Sequence, residues 1–177
     1  MREATCVILA AGLGTRLGGE KLALPFRGGT ILDAVLAACK GMPTVLVASA
    51  RRNDVRTIVN DAPERGMAHS LKLANREIPN DRRIAVLLGD KPLVTATLVR
   101  RLLEAEQADV VFPERNGVPG HPVVFSARAR RLIDMLPDGD TLQRLRDDPS
   151  LTRHAVPIED DGAYVDVDTE EDYRKLL

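Results

Sequence analysis

A glycine-rich segment with two cations follows the first apolar run of the chain and could bind an anion. Between Ala11 and Leu22 it contains four glycines together with Arg16 and Lys21. Backbone N–H groups in such a loop can approach a phosphate without obstruction by side chains, and the two cations can neutralise the remaining oxygens. An ordinary surface turn needs only one or two glycines. The segment therefore predicts a phosphate-binding loop directly after a buried strand.

Two well-known glycine-rich motifs fail on this segment. The phosphate loop of NTPases has Gly, four residues and then Gly-Lys-Ser/Thr, whereas here Gly14 is followed by Gly19-Glu20-Lys21-Leu22. The dinucleotide motif Gly-x-Gly-x-x-Gly fits Gly12 and Gly14 but has Leu17 at its third glycine position. The residues thus predict phosphate binding outside both of these classes.

Three carboxylates stand where a divalent cation could bind. Asp90 follows a predicted strand, at the sheet edge where α/β proteins bind ligands, and Thr95 is the better cap for the next helix. Asp166 and Asp168 are two residues apart, so in a strand they project from the same face. Paired carboxylate oxygens suit a hard cation such as Mg²⁺. Two alternatives stay open: Asp90 as a turn residue, and Asp168 as part of the cap of the last helix, with Thr169.

Composition limits the classes of function. The chain has 177 residues, 44% hydrophobic and 29% charged, with a formal net charge of −1. Interspersed, nearly balanced charges predict neither nucleic-acid nor membrane binding, and 3% aromatic residues argue against base-stacking platforms. No apolar stretch reaches the ~20 residues that span a bilayer and no signal peptide is recognisable, so a cytoplasmic location is expected. Cys6 and Cys39 lie in apolar runs and are expected to be buried thiols.

Short Val/Ile/Leu-rich runs alternate with segments of helical period, which predicts an α/β fold in a single domain over residues 1–177. Most of these runs are continuously apolar, so helices are expected on both faces of the sheet, in three α/β/α layers. A loop rich in Pro, Asn and Gly between residues 113 and 120 predicts an antiparallel pair, and hence a mixed, mostly parallel sheet. The predicted strands are Thr5–Ala10, Thr44–Ala48, Ile84–Leu88, Asp109–Pro113, Pro122–Phe125, Arg153–Pro157 and Ala163–Val167. The predicted helices are Thr30–Lys40, Met67–Glu77, Thr95–Gln107, Ala127–Leu136, Asp140–Asp147 and Thr169–Leu177.

The chain resembles nucleotidyltransferases with the nucleotide-diphospho-sugar transferase (GT-A-like) fold in its opening string, Leu9-Ala10-Ala11-Gly12-x-Gly14-x-Arg16-x-Gly18-Gly19-x-Lys21. It is most similar to the MobA-like NTP transferases, which include molybdenum cofactor cytidylyltransferases and their guanylyltransferase relatives. In that branch Leu-Ala-Ala-Gly accompanies CTP and Leu-Ala-Gly-Gly accompanies GTP. The resemblance therefore implies CTP.

Four further motifs carry the same resemblance, in the family's order. They are Asn60-x-x-x-x-x-Gly66-Met67-x-x-Ser70, Leu88-x-Asp90-x-Pro92-x-x-Thr95, Gly120-His121-Pro122 and the closing Asp166-Val167-Asp168-Thr169. The chain departs from the family at His69, at Glu170, where Pro is usual, and at Lys91, where Gln or Met is usual. Lys91 is expected either to contact phosphate or to be exposed, and His69 not to be catalytic.

The resemblance also implies roles for particular residues. The residues expected to contact the substrate or nucleotide are Leu9, Ala10, Ala11, Gly12, Gly14, Lys21, Asn60, Gly66, Ser70 and His121. For His121 a structural role is an equal alternative. Metal ligands are Asp90 with Asp166 or Asp168, and the catalytic residues are Arg16, Lys21 and Asp90.

Together, the motifs and the resemblance predict a Mg²⁺-dependent nucleotidyltransferase. It would transfer CMP from CTP to the terminal phosphate of a molybdopterin-type cofactor and release pyrophosphate. A phosphate nucleophile needs charge neutralisation more than a strong base, so a Ser-His-Asp or Cys-His set is not required. The expected partners are the NTP, the phosphate-bearing cofactor and a molybdoenzyme that receives the product. Three alternatives remain: a GTP-using molybdopterin guanylyltransferase, a nucleotidyltransferase for another phosphate acceptor, and a non-catalytic nucleotide or cofactor carrier.

Overall fold

Strands alternate with helices along the chain, as the apolar runs predict. The computed structural model describes residues 4–12 and 21–177. Its strands are β1 (Ala4–Ala10), β2 (Pro25–Phe26), β3 (Gly29–Thr30), β4 (Thr44–Ala48), β5 (Arg56–Val59), β6 (Arg83–Leu88), β7 (Val110–Arg115), β8 (Val118–Pro119), β9 (Val123–Phe125) and β10 (Arg153–Pro157). Its helices are α1 (Ile31–Ala38), α2 (Gly66–Arg76), α3 (Ala96–Glu104), α4 (Ala127–Arg130), α5 (Leu142–Arg146) and α6 (Glu170–Leu176). None of these helices is long and apolar enough to cross a membrane.

One large sheet organises the described residues. Its strand order is β10-β7-β9-β6-β1-β4-β5, and β8 pairs with β7. β9 runs antiparallel to β6 and β7, whereas β1 is parallel to β4 and β6, so the predicted mixed, mostly parallel sheet is confirmed. The chain extends from β1 to β4 and β5 on one side and then returns to β6 on the other. The topological switch point, where such sheets bind ligands, therefore lies between β1 and β6.

Helices cover both faces of this sheet. Val7 and Leu9 of β1 belong to a core cluster that includes residues of α2, whereas Cys6 and Ile8 belong to a second cluster with residues of α1 and α3. This alternation follows the period of two of a strand, and it confirms the three-layer α/β/α arrangement. Cys6 and Cys39 are free thiols with 1% and 2% exposure, as expected.

Threonine caps begin three of the helices. Thr30 Oγ1 accepts from Asp33 N at 3.1 Å, and Asp33 Oδ2 accepts from Thr30 N at 2.9 Å, which completes a capping box at the start of α1. Thr95 caps α3 as predicted, and Thr169 caps α6. The helix predicted over residues 127–136 is instead α4 followed by a 3₁₀ turn at Ile133–Met135. Ile133 and Leu136 nevertheless belong to the hydrophobic core.

The segment Ala163–Val167, predicted as a strand, is not one. Asp161–Ala163 forms a 3₁₀ turn, and the residues after it cross the carboxyl edge of the sheet. Val167 N donates to Asp90 O at 2.9 Å, in the loop that follows β6. Alternating Val and Asp cannot distinguish a strand from an extended segment, because strand formation depends on a neighbouring strand with which to pair.

The sequence prediction also missed β5 and the short strands β2, β3 and β8. β5 lies at the edge of the sheet and its residues are at most half-buried, so it lacks the apolar run of a central strand. β2 and β3 form a separate two-stranded hairpin. β8 pairs with β7 across Asn116 and Gly117, whose φ angles of 53° and 77° are typical of a tight hairpin turn.

Candidate active site

A cleft of about 240 Å³ opens at the carboxyl end of β1, beside the switch point of the sheet. Predicted site residues that line it are Leu9, Ala10, Ala11, Gly12, Lys21, Gly66, Ser70 and Asp90. Leu22, Pro63, Met67 and Leu88 also line it and were not predicted as site residues. Of these, Met67 could have been found, because it lies inside the Gly-Met-x-x-Ser motif. None of the described lining residues is aromatic, so a base in this cleft would contact backbone and aliphatic groups.

A close backbone approach brings the loop after β6 to the end of β1. Gly89 N donates to Leu9 O at 2.9 Å. A Cβ at position 89 would lie 3.1 Å from Ala10 Cβ and 3.3 Å from Leu22 Cδ1, which is tighter than ordinary packing. Glycine at 89 and a small residue at 10 thus allow Asp90 to lie beside the residues that follow the glycine-rich loop.

Lys21 joins two of the predicted metal carboxylates. Its Nζ donates to Asp90 Oδ2 at 2.9 Å and to Asp168 Oδ1 at 3.0 Å. Burial lowers the pKa of Lys21, but the hydrogen bonds and charges of the two aspartates outweigh that effect and raise the pKa overall. Lys21 is therefore a firmly protonated cation shared by two carboxylates from distant parts of the chain.

The donor set around Lys21 fits a hard cation. Asp90 Oδ1 is buried and has no hydrogen-bond partner among the described residues. A buried carboxylate oxygen without a partner is costly, and carboxylate oxygens are the ligands that Mg²⁺ and Mn²⁺ prefer. Within residues 4–12 and 21–177 no group of three or more His, Cys, Asp or Glu side chains is arranged to hold a metal. Asp90 and Asp168 are thus the two carboxylates that converge.

Asp166 points to a different partner. Its Oδ2 lies 3.5 Å from Lys91 Nζ, whereas Asp168 faces Lys21. The cap of α6 is formed by Thr169 with Asp172, so capping does not account for Asp168. Lys91 itself is only 6% exposed, so of the two alternatives predicted for it the exposed side chain is wrong, while a phosphate contact stays a prediction.

Asn60 is buried next to the cleft and holds residues that line it. It is 1% exposed and does not belong to the lining of the cleft. Its Nδ2 donates to Ser70 Oγ at 2.9 Å, and its Oδ1 accepts from Ala62 N at 2.9 Å. These bonds tie the turn before α2 to the helix. Gly66, which starts the helix, has φ of 87° and approaches Gly139 so closely that a Cβ would lie 3.0 Å from its Cα.

His121 lies at the same sheet edge but outside the cleft lining. It precedes β9, and its N donates to Ala163 O at 2.9 Å. Burial, together with the charges of Lys91 and Arg146, lowers the pKa of His121 from 6.5 to about 4, although a hydrogen bond to the backbone of Val86 opposes the shift. Near neutral pH this imidazole is therefore uncharged, so it can offer a hydrogen bond but not a positive charge to a substrate.

Two predicted residues, Gly14 and Arg16, lie outside the described residues. The part of the opening motif that the structure does describe, Leu9–Gly12 and Lys21, lies together at the cleft. Backbone, one cation and two carboxylates therefore meet at the carboxyl end of β1 and β6, an arrangement that can hold a nucleotide with its phosphates and a divalent metal.

Known proteins share this fold and part of this sequence. The chain matches the MobA-like NTP transferase domain over residues 6–155. It is 28% identical to the molybdenum cofactor cytidylyltransferase of Escherichia coli (strain K12), over 98% of this chain and 95% of that protein. It is 30% identical to nicotine blue oxidoreductase of Paenarthrobacter nicotinovorans, over 98% of this chain and 96% of that protein.

A solved structure supports the same assignment. The crystal structure of Rv0371c from Mycobacterium tuberculosis H37Rv has a TM-score of 0.85 at 28% identity and covers 99% of this chain and 97% of its own. A complex of that protein with manganese has a TM-score of 0.79 at 26% identity, with 99% and 98% covered. The chain therefore belongs to the MobA-like NTP transferase domain family, as a nucleotidyltransferase with the nucleotide-diphospho-sugar transferase fold.

Proposed function

We propose that this nucleotidyltransferase transfers CMP from CTP to the terminal phosphate of a molybdopterin-type cofactor, with Mg²⁺ as its metal. The observation that carries the proposal is the shared cation Lys21, held between Asp90 and Asp168 at the edge of a cleft lined by Leu9–Gly12. This arrangement supplies backbone for a nucleotide, a cation for its phosphates and two carboxylates for a metal. The manganese complex of Rv0371c supports divalent-metal binding in this family.

The transfer exchanges one phosphoanhydride bond for another. An oxygen of the acceptor phosphate attacks the α-phosphorus of CTP and forms a new P–O–P linkage, while the bond to the bridging oxygen breaks and pyrophosphate leaves. Both reactants are anions, so the chain must neutralise charge and hold them in line. Lys21 would donate to oxygens of the departing β- and γ-phosphates, and so would Arg16. A Mg²⁺ ion held by Asp90 and Asp168 would neutralise charge on the α-phosphate.

Three observations support CTP over GTP. The chain carries Leu-Ala-Ala-Gly at residues 9–12, the form that accompanies CTP in the similar family. Ala11, the position at which the CTP form differs from the GTP form, lines the cleft. The E. coli relative is itself named a cytidylyltransferase.

Pyrophosphate release from a panel of nucleotides and acceptors tests this proposal. We expect release from CTP with Mg²⁺ and a molybdopterin-type acceptor, and less from GTP, ATP or UTP. Asp90→Asn keeps the size of the side chain but removes its charge, so turnover should fall at least about 100-fold while the circular dichroism spectrum stays unchanged. A preference for GTP would indicate a guanylyltransferase. Binding of CTP without pyrophosphate release from any acceptor would indicate a carrier and overturn the proposal.

A second candidate function comes from the relative named nicotine blue oxidoreductase, which is 30% identical over nearly the whole chain. Under this alternative the cleft would bind a redox substrate. The same panel can include NADH or NADPH with a quinonoid dye as electron acceptor. Oxidation of the nicotinamide without any pyrophosphate release from the nucleotides would favour the oxidoreductase over the transferase.

A further inference from the structure

Lys91 is a buried cation directly beside Asp90. It is 6% exposed, and its Nζ donates to Tyr164 O at 3.1 Å and lies 3.5 Å from Asp166 Oδ2. Burial of an ammonium group is costly unless it is paired and hydrogen-bonded, and lysine is rarely this buried without partners. The side chain therefore has a specific polar task at this position, which an aliphatic residue of similar size could not perform.

That task concerns residues 160–168, which we call the closing segment. It packs against the loop after β6 at three points. A Cβ on Gly162 would lie 2.3 Å from Leu93 O, so this glycine rests directly on the loop backbone. Lys91 binds the carbonyl of Tyr164, and Val167 N donates to Asp90 O at 2.9 Å. Asp168, the last residue of the segment, comes directly after Val167 and faces Lys21 and Asp90.

We propose that Lys91 is a positioning residue, whose ammonium holds Tyr164 and Asp166 so that the carboxylate of Asp168 stays beside Asp90. The proposal rests on the proposed function, because it assumes that Asp90 and Asp168 hold the metal. It gives Asp166 the role of a partner of Lys91, which agrees with its separation from Lys21.

Neither methionine nor glutamine at position 91 would perform this task. Methionine fills the volume but donates no hydrogen bond, so the Tyr164 carbonyl would lose its donor. Glutamine donates a hydrogen bond, but its side chain is one bond shorter than that of lysine and carries no charge for Asp166. Both substitutions should leave the closing segment less firmly held and Asp168 less well placed.

A double-mutant cycle on metal affinity tests the proposal. Mn²⁺ binding to the full chain, without nucleotide, is measured by the electron paramagnetic resonance signal of free Mn²⁺. Lys91→Met should weaken Mn²⁺ binding about tenfold, which is the usual effect of losing a residue that orients a metal ligand. In an Asp168→Asn background the same substitution should have no further effect. Lys40→Met, at an exposed lysine, is the matched control and should bind like the wild type.

The outcomes separate this proposal from the proposed function. If Asp168→Asn leaves Mn²⁺ affinity unchanged, the metal assignment fails and Lys91 loses its role with it. Two outcomes would overturn only the Lys91 proposal, provided that Asp168→Asn weakens Mn²⁺ binding. In the first, the affinity of Lys91→Met stays within twofold of the wild type. In the second, Lys91→Met has its full effect in the Asp168→Asn background as well. If the circular dichroism spectrum of Lys91→Met shows that this variant does not fold, the same cycle is measured with Lys91→Gln. If neither variant folds, Lys91 stabilises the fold and the proposal is overturned.

Discussion

Lys21 serves as the counter-ion of two carboxylates before any substrate is bound. Its ammonium lies 2.9 Å from Asp90 Oδ2 and 3.0 Å from Asp168 Oδ1, and the two aspartates together carry one more charge than it neutralises. If the proposed metal site is correct, a divalent cation and Lys21 would compete for these two carboxylates. The phosphates of a bound nucleotide would attract the ammonium group of Lys21 away from the two carboxylates. Both carboxylates would then be available to bind the metal.

This competition predicts an unusual effect of Lys21→Met. In the absence of nucleotide, Mn²⁺ affinity should rise about tenfold, the size of effect that one charge at this distance has on a neighbouring ionisable group. Pyrophosphate release should fall at the same time, because the leaving phosphates lose a cation. Titration of free Mn²⁺ without nucleotide measures the first effect, with Lys40→Met as the control. Unchanged or weaker Mn²⁺ binding in Lys21→Met would show that the lysine does not compete with the metal.

The closing segment connects two parts of the carboxyl edge of the sheet, the loop after β6 and the residues before β9, through three hydrogen bonds. Its Ala163 carbonyl accepts from His121 N, its Tyr164 carbonyl accepts from Lys91, and its Val167 amide donates to Asp90 O. It has no regular secondary structure beyond the turn Asp161–Ala163, so these contacts rather than a ladder of hydrogen bonds define its path. Its packing should therefore control the placement of Asp168.

Gly162→Ala tests this dependence on packing. The new Cβ would meet Leu93 O at 2.3 Å, and because the obstacle is backbone, the closing segment must move away from the loop. We expect a loss of about 1–3 kcal/mol in the free energy of unfolding and a fall of about 10–100-fold in kcat/KM for pyrophosphate release.

Gly41→Ala is the matched control for this variant. Gly41 has φ of 84° and open space around its Cα, and it lies before β4, at the sheet edge opposite the cleft. Alanine there should cost about 1–2 kcal/mol through backbone conformation alone, without a change in kcat/KM. Equal kinetic losses in the two variants would mean that lowered stability, and not the displacement of Asp168, reduces the activity.

Charge is nearly balanced over the whole molecule, but charged side chains are concentrated at one place. The formal net charge is −1, yet Lys21, Lys91, Asp90, Asp166 and Asp168 gather at one edge of the sheet. Folding creates this cluster, since its members are far apart in the chain. His121 is half-buried at the same edge, where desolvation and the positive charges of Lys91 and Arg146 disfavour its protonation.

His121 should make stability of the fold depend on pH. Its pKa falls from 6.5 to about 4 on folding, so between these values the unfolded chain binds the proton more strongly and stability decreases as pH falls. The shift corresponds to at most about 3 kcal/mol, fully present above pH 6.5 and lost towards pH 4. Urea unfolding of the wild type and His121→Gln between pH 7 and 4.5 should therefore give converging stabilities, with His154→Gln as the control. Parallel curves for the wild type and His121→Gln would contradict the prediction.

Buried strands and helix caps were predictable because their signals are local. Thr44–Ala48 and the edge strand Arg153–Pro157 have the predicted bounds, and in Thr44–Ala48 the signal is a continuous apolar run bounded by turn residues. The strand predicted at Ala163–Val167 was wrong, and the edge strand Arg56–Val59 was missed. In both cases the deciding factor is the presence or absence of a neighbouring strand, which a local pattern does not contain. The burial of Lys91 was also missed, because its partner Tyr164 is 73 residues away.

The amino-acid sequence by itself determined the α/β class, and it identified the set of charged residues that could serve a nucleotide and a metal. Tertiary structure alone decided how those residues are paired. Asp166 and Asp168 are equivalent by composition and spacing, yet only Asp168 meets Lys21, which is 147 residues away, while Asp166 meets Lys91. The physical reason is that burial patterns and caps act over a few residues, whereas an ion pair forms only where the folded path of the chain brings its members into contact.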